Sequence, residues 1–368
     1  MELVVHKIQN EYDFNVYKDT VNGFEVVNPF FMFLTPEKNE STYDGLRYFT
    51  LKVEDKVLIL MPFVLREIPY KLRNTIYYDV ISPYGYSGPL FNKDMSRGYL
   101  LKFWELIDSW YKENNVVSEF IRFSLNNNCQ FYSGTLIPTL SNVRGRLLDY
   151  EQQWASLKQK VRNNYRKAVN NNLKSHIVYN NVKDEDIERF YDIYISTMRR
   201  VNANTDYFYS LCYFKNIVRL CEGKIIFAFV YKDGIAISTE LILTSNNTLY
   251  SYLGGTIMDY FSLRPNDFLK VEVMKWARLQ HFKYYVLGGG REDFDNLYKY
   301  KKSFFPNDDD LVFYTGRKII NKAVYNELDK ITNDEIGLDD GGLEKKGRKI
   351  GFFPAYRKNT YRAITREN

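Results

Sequence analysis

Two β-rich runs, Ile225 to Tyr231 and Ile235 to Leu243, meet at Lys232-Asp233-Gly234. Asp-Gly at such a tip tolerates the positive φ angles of a tight hairpin turn, so the runs are expected to pair antiparallel. A third strand is expected over Thr248 to Gly254. Asn266 or Asp267 then caps a helix running to about Gln280, and Tyr284 to Leu287 reads as a strand ending in Gly288-Gly289-Gly290. Antiparallel hairpins flanked by helices argue for α+β or mixed α/β sheets.

The first half follows the same plan. Leu46 to Glu54 and Val57 to Leu65 are β-rich runs joined at Asp55-Lys56, and Ile76 to Ile81 is a further strand candidate. Ser82 to Pro89 is broken by Gly and Pro. From Met95 to Tyr111, Leu100, Phe103, Trp104, Ile107 and Trp110 recur at three- and four-residue steps, which predicts a helix. Val117 to Phe123 reads as a strand. A chain of 368 residues exceeds what one core usually serves. The repeat therefore suggests two domains, 1–145 and 146–330, with the boundary near Asn142 to Asp149. Residues 331–368 are expected to form a linker over Thr332 to Gly347 and a docked tail at Ile350 to Arg357, which is too aromatic to stay free.

Between the halves, Glu151 to Asn170 is expected to be one helix with Trp154, Leu157, Val161, Tyr165 and Ala168 on one stripe. Lys158, Lys160, Arg162, Arg166 and Lys167 occupy the rest, either as a solvated face or as a surface for phosphates. A second helix spans about Asp184 to Val201, and Leu311 to Tyr314 is a last strand candidate.

Composition narrows the class. With 45% hydrophobic residues, 32 Tyr and 26 Phe, disorder over most of the chain is excluded. A net charge of +6 permits an anionic partner without demanding one. Cys129, Cys212 and Cys221 lack CxxC spacing, and His6, His176 and His281 are scattered, so no metal is expected. The N-terminus has neither a signal-peptide core nor a spanning length, and free thiols fit a reducing cytoplasm. No GxSxG, HExxH or P-loop is present, so neither a hydrolase nor a kinase is supported.

Three features remain as candidates for chemistry. Glu240 interrupts an apolar strand, on the face of Ser238 and Ile242. It either faces solvent or, facing a cleft, serves as a general base. Gly288 and Gly289 mark a sharp turn or a close backbone approach. Tyr298 to Pro306 places Lys299, Lys301 and Lys302 among aromatics, which by pattern alone is a basic rim.

Taken together, these segments resemble the FemAB/FemX-like N-acyltransferases of the GNAT superfamily. The stretch from Ser156 (SLKQKVRNNYRKAVNNNLKSHIVY) is similar to the family's K-x-R-x-x-I-x-K-A-x-K-x-G-V segment. The stretch from Leu249 to Gly290 is similar to its strand, glycine pair, helix and glycine-ended strand. Leu297 to Ile320 is similar to its F-K-x-x-F…G ending, and DVISPYGYSGPLF from Asp79 to first-domain segments. The likeness covers most of residues 45 to 325.

The resemblance implies two tandem GNAT-like domains with mixed, largely antiparallel sheets flanked by helices. It implies transfer of an acyl or aminoacyl group to an amine of a cell-envelope precursor such as peptidoglycan, from aminoacyl-tRNA or acyl-CoA. The acceptor is nucleotide- or lipid-linked, and peripheral membrane contact is compatible with it. The family's helical-hairpin insertion and the coenzyme A loop R/Q-x-x-G-x-G/A are both missing, which leaves the donor open. Lys301 aligns with the family's lysine, beside Tyr300. It is assigned with Glu240 to catalysis, stabilising an oxyanion with backbone N–H groups near Gly288 and Gly289. Arg162 and Arg166 are assigned to phosphates, and Tyr252 and Tyr300 to substrate. The alternatives are an acyl-CoA-dependent N-acetyltransferase of an amino sugar in surface polysaccharide, and a non-catalytic GNAT-like binding module.

Overall fold

The computed structural model describes residues 1–25, 27–32, 34, 45–70, 72, 74–221, 223–334 and 351–358. In chain order its elements begin with β1 (Glu2–Lys7), α1 (Glu11–Asn22), β2 (Leu46–Val53), β3 (Lys56–Glu67), β4 (Tyr78–Ile81), α2 (Arg97–Glu113), β5 (Val116–Arg122) and β6 (Thr135–Arg146). They continue with α3 (Tyr150–Ser156), α4 (Gln159–Asn170), β7 (Lys174–Tyr179), α5 (Asp184–Arg200), α6 (Leu211–Leu220), β8 (Ile225–Lys232), β9 (Ile235–Ser245) and β10 (Thr248–Thr256). The last are α7 (Pro265–Leu279), β11 (Tyr284–Gly288), α8 (Asn296–Lys302), β12 (Leu311–Ile319) and α9 (Lys322–Asp334). The chain is a mixed α/β protein whose strands pair mostly antiparallel.

The described residues form two compact units. One comprises those within Met1–Glu25, Leu34–Thr139 and Phe313–Asn368, the other those within Val26–Phe33 and Leu140–Val312. In the first unit β1, β2, β3 and β4 pair antiparallel in turn, β4 runs parallel to β5, and β12 closes antiparallel on β5. In the second, β7, β8, β9 and β10 pair antiparallel, β10 runs parallel to β11, and β6 closes antiparallel on β11. A helix bridges each parallel pair, α2 in one unit and α7 in the other, because parallel neighbours need a crossover. The closing strand of each sheet comes from the other half of the chain.

Apolar periodicity builds both cores. On α2, Leu100, Phe103, Trp104, Ile107 and Tyr111 are buried against Phe49, Phe63 and Ile121 of the first sheet. On α7, Phe268, Leu269, Val271, Val273, Met274 and Ala277 are buried against Ile226, Ala228, Ile242 and Tyr285. A third cluster in the first unit gathers Ile68, Val117, Val324, Leu328 and Tyr356. The Tyr356 hydroxyl lies 2.8 Å from Ser118 Oγ, and Arg357 Nε donates to Asp79 Oδ2 at 2.8 Å. The linker expected at Thr332 to Gly347 falls for the most part outside the described residues.

One expected helix is two. Glu151 to Asn170 breaks at Leu157 and Lys158, whose ψ angles of 141° and 145° are extended. Leu157 is buried at the break, and the Lys158 N–H donates to Ser303 O at 3.1 Å. Periodicity cannot show such a break, because the apolar stripe continues across it.

Candidate functional site

Strand β9 lies between β8 and β10, and Glu240 sits at its middle, opposite Ala228 on one side and Gly254 on the other. Covered by α7, it is 3% exposed, so of the two sequence readings the solvent-facing one fails. A carboxylate buried this deeply needs partners. Its Oε1 accepts from Lys270 Nζ and from the Tyr285 hydroxyl, the latter at 2.8 Å. Lys270 Nζ also donates to Ser251 Oγ at 3.1 Å and to the Tyr285 hydroxyl at 3.2 Å. The other carboxylate oxygen, Oε2, is buried with no hydrogen-bond partner among the described residues.

The first unit carries a comparable buried carboxylate with a different outcome. Glu119, 0% exposed, receives the Tyr111 hydroxyl on Oε1 and the Tyr132 hydroxyl at 2.8 Å on Oε2, with Lys318 Nζ 3.6 Å away. Both of its oxygens are occupied by the fold. Only Glu240 of this pair has a carboxylate oxygen with no hydrogen-bond partner among the described residues.

Lys301 is placed by α8. Asp295 caps that helix, accepting from the Tyr298 N–H at 2.7 Å through Oδ1 and from the Arg291 N–H at 2.8 Å through Oδ2. The Lys301 ammonium donates to Gly289 O at 2.6 Å. Burial lowers its pKa to about 8, helped by the like charge of Lys270 and opposed by Glu240 and Asp295. Gly288, at φ +75°, turns the chain out of β11 in a conformation that favours glycine. A Cβ on Gly290 would stand 2.0 Å from Asp295 Oδ1, so the cap and the glycine require each other.

Tyr300 precedes Lys301 and lies partly buried against the core. Its hydroxyl is buried without a partner among the described residues. Burial, with the negative charges of Asp267 and Glu240, pushes its pKa well above the usual phenol value, which keeps it a donor. Asp267, 8% exposed, has its own pKa raised by burial, against the pull of Asn164, Arg264 and Lys160. Between α4, α7 and α8 opens a cavity of about 430 Å³, lined among others by Lys160, Asn164, Arg264, Asp267, Lys299 and Tyr300.

The structure thus gathers Glu240, Gly289, Tyr300 and Lys301 of the residues singled out by sequence. Arg162 is engaged elsewhere: its guanidinium donates to Ala155 O at 3.0 Å and to Leu157 O, closing the end of α3. Arg166 lies over the Trp154 ring at 5.4 Å. Tyr252 meets the Tyr213 hydroxyl at 2.7 Å and the edge of Phe30. Lys270, Tyr285 and Asp267 were not singled out by sequence. Their signal was there in part, since a lysine among Phe268, Leu269, Val271 and Met274 on the apolar side of a helix needs a buried partner.

The parallel pair shapes the site further. β10 and β11 are in register only over Thr248 to Tyr250 and Tyr284 to Val286. Beyond that, β10 continues to Thr256 while β11 ends at Gly288. On β10 the backbone at Gly255 is approached by α5: a Cβ there would meet Thr197 Oγ1 at 2.6 Å and Ile193 O at 2.7 Å.

Residues 159–302 match the family model of the acetyltransferase (GNAT) domain. Among solved structures, a crystal structure of FemX is similar with a TM-score of 0.60 and 13% identity, covering 89% of this chain and 99% of that one. The structure of L-PGS from Bacillus licheniformis has a TM-score of 0.56 at 12% identity, covering 89% and 98%. The C-terminal domain (DUF2156) of a putative lysylphosphatidylglycerol synthetase from Agrobacterium fabrum has a TM-score of 0.50 at 11% identity, covering 73% and 84%. A comparison with curated protein sequences gives no match. Among the described residues no helix is long and apolar enough to cross a membrane. At these identities the likeness to solved structures is one of fold.

Proposed function

We propose that this chain, an acyltransferase of the GNAT/FemX-like family, transfers an acyl or aminoacyl group to an amine of a cell-envelope precursor. The observation that carries the reading is the buried Glu240 carboxylate, fixed through Oε1 and receptive at Oε2, with the Lys301 ammonium in its field.

An alkyl amine has a pKa of roughly 10.4, so it must lose a proton before it attacks. In the proposed step the neutral amine nitrogen adds to the acyl carbonyl carbon. The new C–N bond forms, and the carbonyl electrons move to oxygen. The surplus proton on nitrogen passes to Glu240 Oε2 and from there to the departing atom of the donor, whose bond to the acyl carbon breaks. The oxyanion's electrons re-form the carbonyl as that bond breaks, and protons balance: the ammonium gives its first proton to solvent, and from the neutral amine onward the nitrogen loses one and the leaving group gains one. Lys301, held by Gly289 O, faces the oxyanion as a cation, and Tyr300 adds a neutral O–H donor. Lys270 and Tyr285 hold the Glu240 carboxylate in place.

The test supplies the purified chain with labelled acetyl-CoA or labelled aminoacyl-tRNA in parallel, with an amine-bearing envelope precursor. Transfer from either donor that disappears in Glu240→Gln supports the reading. Full turnover of Glu240→Gln would show that the carboxylate is not the proton acceptor. Labelling of a free amino sugar by acetyl-CoA alone would assign the chain to the polysaccharide branch instead.

A further inference from the structure

We propose that Asp295 is a positioning residue: through one carboxylate it sets the Gly289 carbonyl and the Lys301 ammonium at bonding distance from each other. Its part in transfer rests on the reading of Lys301 as the cation that faces the oxyanion.

The acceptor and the donor of that bond come from separate segments. Gly289 stands just beyond β11, and Lys301 lies near the end of α8. Asp295 sits between them and reaches both ways. Its Oδ2 accepts from the Arg291 N–H at 2.8 Å and from the Glu292 N–H at 3.4 Å, on the Gly289 side. Its Oδ1 accepts from the Tyr298 N–H at 2.7 Å, on α8. These bonds lower the pKa of the carboxyl, so the group stays ionised at neutral pH, and bonds to an ionised acceptor are stronger than neutral ones.

Residues 289–295 need such a tie. Phe294 holds φ +59° with its ring more than half exposed, its edge against Tyr298. A bulky residue in the left-handed region is strained and persists only where its surroundings over-determine it. Ties on both sides of Phe294 do this. Asp293 Oδ1 accepts from the Ser141 N–H of β6 at 2.8 Å, and Asp295 holds α8. Space is tight as well, since a Cβ on Gly289 would stand 3.0 Å from Ser141 O. The Gly289 carbonyl is therefore not free to turn away from Lys301.

The carboxylate also acts as a charge. Lys301 faces the like charge of Lys270 on α7, and the opposite charges of Glu240 on β9 and Asp295 before α8. Asp295 thus favours the protonated lysine that an oxyanion requires.

Asp295→Asn tests this. Asparagine caps a helix about as well as aspartate, but it carries no charge and offers one acceptor atom instead of two. NMR titration of the full chain labelled with ε-¹³C-lysine reads the result without a transfer assay, the Lys301 signal being assigned by its loss in Lys301→Met. The parent lysine should titrate at about 8, and the lysine of Asp295→Asn at a lower pH. In transfer assays kcat should fall about ten- to a hundredfold with KM little changed, the scale of an ångström-level misplacement. In a Lys301→Ala background the same substitution should cost no further kcat, because Asp295 acts through that lysine. Asp295→Ser, a second uncharged cap, should behave like Asp295→Asn. An unchanged Lys301 titration in both variants, or an equal loss of kcat with and without Lys301, overturns the proposal and leaves Asp295 as a helix cap. A lowered titration in a chain that transfers nothing would remove the acyl-transfer reading and leave the Asp295 tie standing.

Discussion

Tyr285 donates its hydroxyl to Glu240 Oε1 at 2.8 Å, from a strand two places away in the same sheet. The bond fixes one face of a buried carboxylate and leaves the other receptive, and Tyr285→Phe should loosen it. We expect kcat to fall at least several-fold in Tyr285→Phe, with KM nearly unchanged, because the tyrosine acts through Glu240 and not on substrate. A rise confined to KM would place the tyrosine in binding instead.

Glu240 itself should be the larger loss. Glu240→Gln keeps the shape and is expected to lower kcat by about 100- to 10,000-fold, the usual range for general base catalysis. Both variants remove the counter-ion of Lys270, but Glu240→Gln leaves an amide oxygen to accept from the ammonium, whereas Glu240→Ala leaves it no acceptor on β9, which costs about 3–5 kcal/mol. Urea denaturation of the two variants separates the effects: Gln should unfold before the parent, and Ala earlier still.

Lys301 gives a pH signature. Burial holds its pKa in the folded chain near 8, below the 10.5 of an ordinary lysine. Between these values the unfolded chain binds more protons than the folded one, so this residue makes stability rise with pH over that window and oppose folding below it. The shift corresponds to about 3 kcal/mol. Lys301→Met should therefore flatten the rise in unfolding free energy between pH 7.5 and pH 10.5, measured against the parent at each pH. Transfer should also decline as pH climbs through about 8, where the ammonium is lost. In Lys301→Ala, an equal fall in kcat and kcat/KM marks transition-state stabilisation, and a change in KM alone marks ground-state binding.

Gly255 tests the backbone of β10. Alanine there would press a methyl group on Ile193 O, which belongs to a helix backbone and cannot swing aside. We expect Gly255→Ala to destabilise by about 1–3 kcal/mol, the usual cost of overpacking. Gly234→Ala is a useful contrast, since nothing lies within 4 Å of a Cβ there and its cost comes only from the φ of +81°.

In the first unit, Tyr356→Phe removes the bonds to Ser118 and to the Asp79 carboxylate and should cost about 1–3 kcal/mol. Tyr356→Ala opens a cavity in a fully buried cluster and should cost about 3–5 kcal/mol. A denaturation midpoint unchanged in Tyr356→Ala would show that residues 351–358 contribute little to that core.

What the sequence by itself determined follows from its two short periods. The β8–β9 hairpin was legible because Asp233-Gly234 permits a left-handed turn between two runs of β-branched residues. Helix α2 was legible because its apolar residues return every three or four positions. Strand β6 was not, because Pro138, Ser141, Asn142 and Arg144 interrupt any alternation in Thr135–Arg146. The break between α3 and α4 was hidden for the opposite reason, an apolar stripe that runs through it. Lys301, its partner Gly289 and Glu240 stood out as residues, but the partners of Glu240 did not. Lys270 lies 30 positions from Glu240 and Tyr285 lies 45, and only the packing of α7 across β9 and the parallel placement of β11 bring them together. Whether a buried carboxylate ends with both oxygens occupied, as Glu119 does, or with one receptive, as Glu240 does, depends on which side chains arrive from distant segments. Local propensity carries no record of that, because burial and ion pairing are set by the whole chain once folded.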